Sequence, residues 1–260
     1  MSNEQKSFIK KYKIKKAVIF MWQVFILLFF LILWEVLSKH NIINPFIFSS
    51  PSKVVKCIIN LYKDNNLFIH IWVTIYETLI AFVIGLVISF LVSIILYLYN
   101  TVHKVLDLFL TCLNSLPKVA LGPMIIIIAG ANTKSIIVMA VLINLIVSIV
   151  VITDGFYNTD KIKIKLMNSF GASKYQIVRY LVIPSSYKTI ISSFKLSISM
   201  SLIGVVSGEF LVSKAGLGYL IIYGTQVFNL DLVISGILLL VIISYILYRV
   251  VEYIEKLLLK

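Results

Sequence analysis

The sequence predicts an all-α polytopic membrane protein. It should have about six transmembrane helices, both termini cytoplasmic, and a cytoplasmic helix–Gly–helix elbow between spans four and five. Three observations carry this. Of 260 residues, 60% are hydrophobic and 13% charged, against about 25% charged in soluble domains. The apolar residues gather into runs of about twenty, the length that crosses a hydrocarbon core. The formal net charge of +13, from 24 Lys+Arg against 11 Asp+Glu, clusters beside those runs, as cytoplasmic flanks do. No soluble basic face or RNA-binding motif accompanies the charge, so the expected partner is the lipid bilayer and not nucleic acid.

Residues 1–16 form a basic tail with Lys6, Lys10, Lys11, Lys13, Lys15 and Lys16, and 17–260 a single transmembrane domain. The run after the tail is too long for a signal-peptide core and no small-residue cleavage site comes after it, so it reads as a retained span. Ala17–Leu37 is span one, with Trp22 and Trp34 near its ends and Glu35 at an end. The connector holds Pro45 and Pro51. Ser52 is the expected cap of a short amphipathic helix, in which Val54, Val55, Ile58, Ile59 and Tyr62 recur at helical spacing. Trp72–Leu98 is span two, with Glu77 in its first two turns, and Tyr99–Lys104 is an inner turn.

Val105–Ala129 is divided by Pro117 and Pro123 into pieces of about twelve residues, each too short to cross alone. It reads as a Pro-kinked helix packed in a bundle, or as a broken helix beside a solute path with Asn114 and Ser115 supplying hydrogen bonds. Ser135–Ile152 is span four, Thr189–Val212 span five and Leu232–Val251 span six. On span five, Ser193, Ser197, Ser201, Gly204 and Gly208 form a stripe of small residues. It either admits a neighbouring helix closely or lines a polar passage. Glu209 comes next, either functional or close enough to the outer interface to be solvated. Ser213–Leu230 is a glycine-bearing outer loop that dips toward the membrane.

Between spans four and five lies Asp160–Pro184, DKIKIKLMNSFGASKYQIVRYLVIP, with Lys161, Lys163, Lys165, Lys174 and Arg179. Gly171 can take φ > 0 and end one short helix. Ser173 to Gln176 reads as a capping box that starts the next, and Pro184 stops or kinks that second helix. The first half, KIKIKLM, alternates like a strand as much as it repeats like a helix.

Enzymatic chemistry is not expected. Gly130–Ser135 lacks the glycine and spacing of a phosphate-binding loop, and no H-E-x-x-H, C-x-x-C or G-x-S-x-G occurs. His40, His70 and His103, and Cys57 and Cys112, lie far apart and suggest neither a metal site nor a disulfide. No cofactor is implied. Work done by such a chain draws its energy from outside, through a mechanical contact, and the elbow is the projection of useful length.

The elbow resembles the second half of the "EAA" loop of bacterial ABC importer permeases, which reads E-A-A-x-x-x-G, nine residues, I-x-L-P. Here Gly171-Ala172 is succeeded at that spacing by Leu181-Val182-Ile183-Pro184, while Lys165, Leu166 and Met167 stand where Glu-Ala-Ala is usual. Ser49-Ser50-Pro51-Ser52, Leu116-Pro117 with Gly122-Pro123, Gly208-Glu209, and Gly216-Leu217-Gly218 are similar, in order, to further marks of the nitrate/sulfonate/taurine subfamily. The resemblance implies a permease homodimer in the bacterial cytoplasmic membrane, on cytoplasmic ATP-binding subunits, supplied by an extracytoplasmic solute-binding protein. It implies a small anionic or sulfur-bearing solute such as nitrate, an alkanesulfonate or taurine. It implies an ATPase-coupling role for Gly171, Ala172, Ser173, Leu181, Ile183 and Pro184. Asn114, Ser115, Pro117, Ser197, Ser201, Gly204, Gly208 and Glu209 remain candidates for the solute path or for helix packing. An ion-coupled carrier using Glu77 or Glu209, and a non-transporting scaffold, are the alternatives.

Overall fold

A computed structural model describes residues 3–64 and 66–259, with side chains described from Tyr12 onward except that of Lys13. The tail lysines Lys6, Lys10, Lys11 and Lys13 lie outside the described side chains, and Lys260 outside the described residues. The described chain is helical throughout. Its elements are α1 (Asn3–Lys39), α2 (Pro45–Phe48), α3 (Pro51–Lys63), α4 (Leu67–Leu98), α5 (Asn100–Ser115), α6 (Gly122–Ala129), α7 (Thr133–Tyr157), α8 (Lys161–Ser169), α9 (Lys174–Ile177), α10 (Ile183–Ser185), α11 (Tyr187–Val212), α12 (Leu217–Gln226) and α13 (Leu230–Leu258). Five stretches are long and apolar enough to cross a membrane, or up to six when the bent pair α5 and Lys118–Ala129 is taken as one.

The helices outrun the apolar runs that announce them. Span two begins at Leu67 and not Trp72, span four ends at Tyr157 and not Ile152, and span six ends at Leu258 and not Val251. Polar residues beyond the hydrocarbon length still make helical hydrogen bonds, so hydropathy stops before the helix does. The expected turn at Tyr99–Lys104 shrinks to Tyr99 alone, since α5 restarts at Asn100. The third region is broken and not merely kinked: its halves meet at 92°. Leu116, forced out of the α region by the proline after it, is extended at ψ 143.

The core is the packing of α4, α7 and α11, with α7 between its two neighbours. α4 and α7 run parallel. Asn144 Nδ2 donates to the Ala81 carbonyl at 3.4 Å, Ser89 Oγ to the Leu145 carbonyl at 3.2 Å and Ser93 Oγ to the Ile149 carbonyl at 3.3 Å. α11 runs antiparallel to both. A Cβ at Gly204 would sit 2.5 Å from Ala140 Cα, and one at Gly208 would sit 3.1 Å from Ile136 Cα. The stripe on α11 thus lies against α7 at backbone distance. Ala81, Ile136, Ala140 and Val205 are buried together beside it.

α13 and α12 close the other flank of α11, burying Leu217, Leu220, Leu232, Leu239, Ile243 and Leu247. α3 lies across α13 and α4. Its apolar residues split, with Val54 buried and Val55, Ile59 and Tyr62 exposed. The cap of α3 is Ser50 and not Ser52, because Pro51 occupies the first helical position, where its missing N–H is harmless. Ser52 instead donates its amide and hydroxyl to Glu35, at 3.1 and 2.6 Å, which ties α3 to α1.

Replacing Gly204 by Val is expected to destabilise the protein by about 1–3 kcal/mol through overpacking. The change is read as a lowered thermal unfolding midpoint in detergent. Ile203→Val, on the exposed face of the same helix, should leave that midpoint unchanged.

Candidate functional site

The elbow is built by local rules at every step. Asp160 caps α8, accepting from the Ile162 amide at 2.8 Å. KIKIKLM is helix and not strand, because α8 has a packed face: Ile164 and Met167 join Ala172, Ile177, Leu181, Val182 and Ile183 against Ile152 and Phe156. The helix ends in a Schellman motif. The Ala172 amide bonds the Met167 carbonyl at 3.1 Å and the Gly171 amide the Asn168 carbonyl at 2.9 Å. Gly171 takes the required positive φ, +76. Ser173 then starts α9 with a complete capping box: Gln176 N to Ser173 Oγ at 3.3 Å, Ser173 N to Gln176 Oε1 at 2.7 Å.

Pro184 does not stop the chain. Its ring excludes the carbonyl four residues back, and Val178–Val182 widens into a π turn in which the Ile183 amide reaches the Val178 carbonyl. The break comes later, at Ser186, whose hydroxyl donates to the Gly155 carbonyl at 2.8 Å. Ser185 and Thr159 hydroxyls meet at 3.2 Å. The elbow is therefore pinned to the inner ends of α7 and α11. At roughly 3.6 residues per turn, the side of α8 opposite Ile164 and Met167 carries Ile162, Lys165, Leu166 and Ser169. Ile162 is 77% exposed, Leu166 55%, and the adjoining Phe170 81%.

At the other end of the bundle, Glu209 is buried at 1% exposure, not solvated at an interface. The segment expected as a loop folds over it as α12. Three successive amides at the start of α12 each find a side-chain acceptor. Gly216 N donates to His70 Nδ1 at 3.0 Å, Leu217 N to Thr74 Oγ1 at 2.8 Å, and Gly218 N to Glu209 Oε2 at 2.5 Å. Thr74 Oγ1 in turn donates to Glu209 Oε1 at 2.6 Å. A carboxylate at a helix N-terminus also complements the helix dipole. The carboxylate explains both glycines: a Cβ on Gly216 would overlap it, and one on Gly218 would lie 2.7 Å from Oε2. Glu77, likewise expected within reach of an interface, is 1% exposed.

The candidates on span three and span five are not brought together. Asn114, Ser115 and Pro117 are exposed. Lys118 Nζ bonds the Asn114 side chain at 3.1 Å and Ser115 Oγ the Thr111 carbonyl at 3.0 Å, both within the bent segment. Ser197, Ser201, Gly204 and Gly208 are buried on α11. Sequence reasoning missed Asn144, fully buried on α7. Its Oδ1 accepts from Ser148 Oγ at 2.8 Å and Ser197 Oγ at 2.6 Å. A lone Asn with Ser at i+4 in an apolar run was the available signal. Thr74 and His70, which with Glu209 hold α12, carried no such signal.

Glu209→Ala removes an acceptor from a buried amide and hydroxyl, a loss of about 1–3 kcal/mol. Amide hydrogen exchange across 213–226 is expected to accelerate in this variant. Glu209→Gln, which keeps one carbonyl oxygen facing the site, should give an intermediate rate.

Residues 81–260 match the family described as binding-protein-dependent transport system inner membrane component. A probable ABC transporter permease protein of Haemophilus influenzae is 26% identical over 223 residues, covering 86% of this chain and 90% of that one. The taurine transport system permease protein TauC of Escherichia coli is 21% identical, covering 84% and 81%. Among solved structures, an inward-facing conformation of the MetNI methionine ABC transporter superposes with a TM-score of 0.62 at 18% identity, covering 73% of this chain and 94% of that one, which is a likeness of fold. With several membrane-crossing helices and a match over most of its length, this chain belongs to the binding-protein-dependent transport system inner membrane component family, as an ABC transporter permease of the plasma membrane.

Proposed function

We propose that the chain is one half of a dimeric importer permease that moves a small anionic or sulfur-bearing solute into the cytoplasm by alternating access. The solute class is nitrate, an alkanesulfonate, taurine or similar, delivered by an extracytoplasmic solute-binding protein. TauC, named for taurine transport, supports the sulfonate reading. Cytoplasmic ATP-binding subunits supply the energy. Both termini and the elbow then lie in the cytoplasm, with 1–16 as a basic tail and 17–260 as the permease domain. Gly171, Ala172, Ser173, Leu181, Ile183 and Pro184 shape the ATPase contact. Asn114, Ser115 and Pro117 border the path from the exposed bent segment, while Ser197, Ser201, Gly204, Gly208 and Glu209 hold the helices that frame it.

The observation that carries this reading is the elbow's two-sidedness. Its inner face is packed into the bundle, and its outer face presents Ile162, Leu166 and Phe170 to the surroundings. Apolar side chains on a short basic projection are the composition of a docking surface. For the ion-coupled alternative, Glu209 is already engaged by Thr74 and Gly218, whereas buried Glu77 keeps one carboxylate oxygen without a partner among the described residues, so the two readings are separated by uptake and not by geometry. The direct test is uptake in cells depleted of ATP but holding a proton gradient. Uptake is expected to cease, and persistence would defeat the importer reading.

Gly171 allows a cleaner test. A Cβ there meets nothing within 4 Å, so substitution probes backbone conformation alone. An L-residue in this region is disfavoured by about 1–2 kcal/mol, and a β-branched one more. Gly171→Val should insert normally yet lose about tenfold or more of transport and of ATPase stimulation. Gly171→Asn, which tolerates positive φ, should retain most of both. Uptake assays beside membrane-protein blots separate insertion from coupling.

A further inference from the structure

The charge on the elbow's outer face specifies the chemistry of what it meets. We infer that the ATPase cleft receiving the elbow places a carboxylate directly against Lys165, within an acidic rim. This rests on the docking reading above and adds to it the identity of the opposing group.

Lys165 lies on the side of α8 turned away from the packed Ile164 and Met167, between Ile162 and Leu166 along the helix. Lys161 and Lys163 flank it, and Lys174 and Arg179 come later on the same projection; all are exposed. Within 160–184 the one acidic residue is Asp160, whose carboxylate caps α8 through the Ile162 amide. Among the described residues the ion pairs are Lys195–Glu255, Arg249–Glu252 and Lys256–Glu252, all on α11 and α13. No intramolecular pair therefore neutralises the elbow lysines among those residues.

When Ile162 and Leu166 are covered by a partner, the ammonium between them loses water with them. A desolvated ammonium without a counter-charge is strongly unfavourable, so the covering surface must supply one. A carboxylate satisfies both charge and hydrogen bonding. Lys161 and Lys163 sit at the edge, where charges act on encounter rate and salt dependence more than on affinity. The EAA pattern has an acid where this chain has Lys165, so a cleft that suits the usual loop opposes this one. The inversion makes the elbow selective for its own ATPase.

The test uses the full transporter purified with its ATPase. Zero-length carbodiimide treatment, which condenses an ammonium and a carboxylate in contact, should join Lys165 to an Asp or Glu of the ATPase. Lys165→Glu should lower solute-stimulated ATPase activity about tenfold or more. Lys165→Arg should preserve it, and reversing the cross-linked acid to Lys should rescue Lys165→Glu. Ile162→Asp reports on docking itself. If Ile162→Asp releases the ATPase while Lys165→Glu behaves as wild type and Lys165 stays open to acetylation in the complex, the charge inference is overturned and the docking reading stands. If Ile162→Asp is harmless as well, the docking reading fails and this inference with it.

Discussion

The close approach of α7 and α11 governs the molecule. In a bilayer, apolar side chains gain little from leaving lipid for protein, so helices associate through close van der Waals contact and internal hydrogen bonds. Gly204 and Gly208 let one backbone reach the other, and side chains at those positions would meet Ala140 and Ile136. The same approach brings Ser197 to Asn144, and Gly85 leaves room on α4 for the Asn144 amide. Asn144 can then bridge three helices without leaving its Oδ1 unsatisfied. An unbonded amide at this depth would cost several kcal/mol, so the polar cluster holds only while the glycines keep the backbones together.

Both ends of α11 depend on that contact. At one end Glu209 leaves the stripe and, with Thr74 from α4, receives the first amides of α12. At the other, Ser186 is held to Gly155 of α7, and the elbow packs on Phe156 and Ile152 of the same helix. The periphery is looser. The apolar window of α1 has no buried residue, and α5 likewise buries none. In hydrocarbon such exposure is no liability, and it leaves these helices free to meet lipid or a second copy.

The range of each interaction decides how much of it the sequence makes legible. Apolar runs appear because bilayer thickness fixes their length. The second half of the elbow was legible because its devices are local: the Gly171 backbone and the Ser173–Gln176 box involve residues within a few positions of one another, whereas the Asp160 cap and the packed face that makes KIKIKLM a helix appear only in the structure. Glu209 was placed near the interface because it stands three residues before Val212 at the end of span five. It is buried because α12 folds over it, and α12 is held by acceptors from His70, Thr74 and Glu209, none within its own ten residues. Gly216, Gly218 and Gly224 made that stretch read as a loop. The first two clear a carboxylate, and Gly216 also holds φ +115, reasons visible only in three dimensions. Lys165 was legible as an anomaly, and its place on the outward face of α8 is what gave the anomaly a meaning.

On the proposed docking reading, the packing also limits how a push on the elbow would travel. α11 has 26 residues, a rod of roughly 39 Å at about 1.5 Å per residue. Sliding it along α7 by one helical rise, about 1.5 Å, would carry the Gly204 gap off the Ala140 backbone that it now clears. The contact at Gly208 and the Asn144 bond would fail in the same step. Sliding is therefore opposed at three places at once. Under such a push, the packing would favour moving α4, α7 and α11 as one body, with α12 carried by Glu209. Displacement is then taken up where packing is thin, along α1 and around the 92° break between α5 and α6. On the proposed docking reading, the glycine stripe would make the core stiff enough for an event at Gly171 to be felt at Glu209 without a polar relay between them.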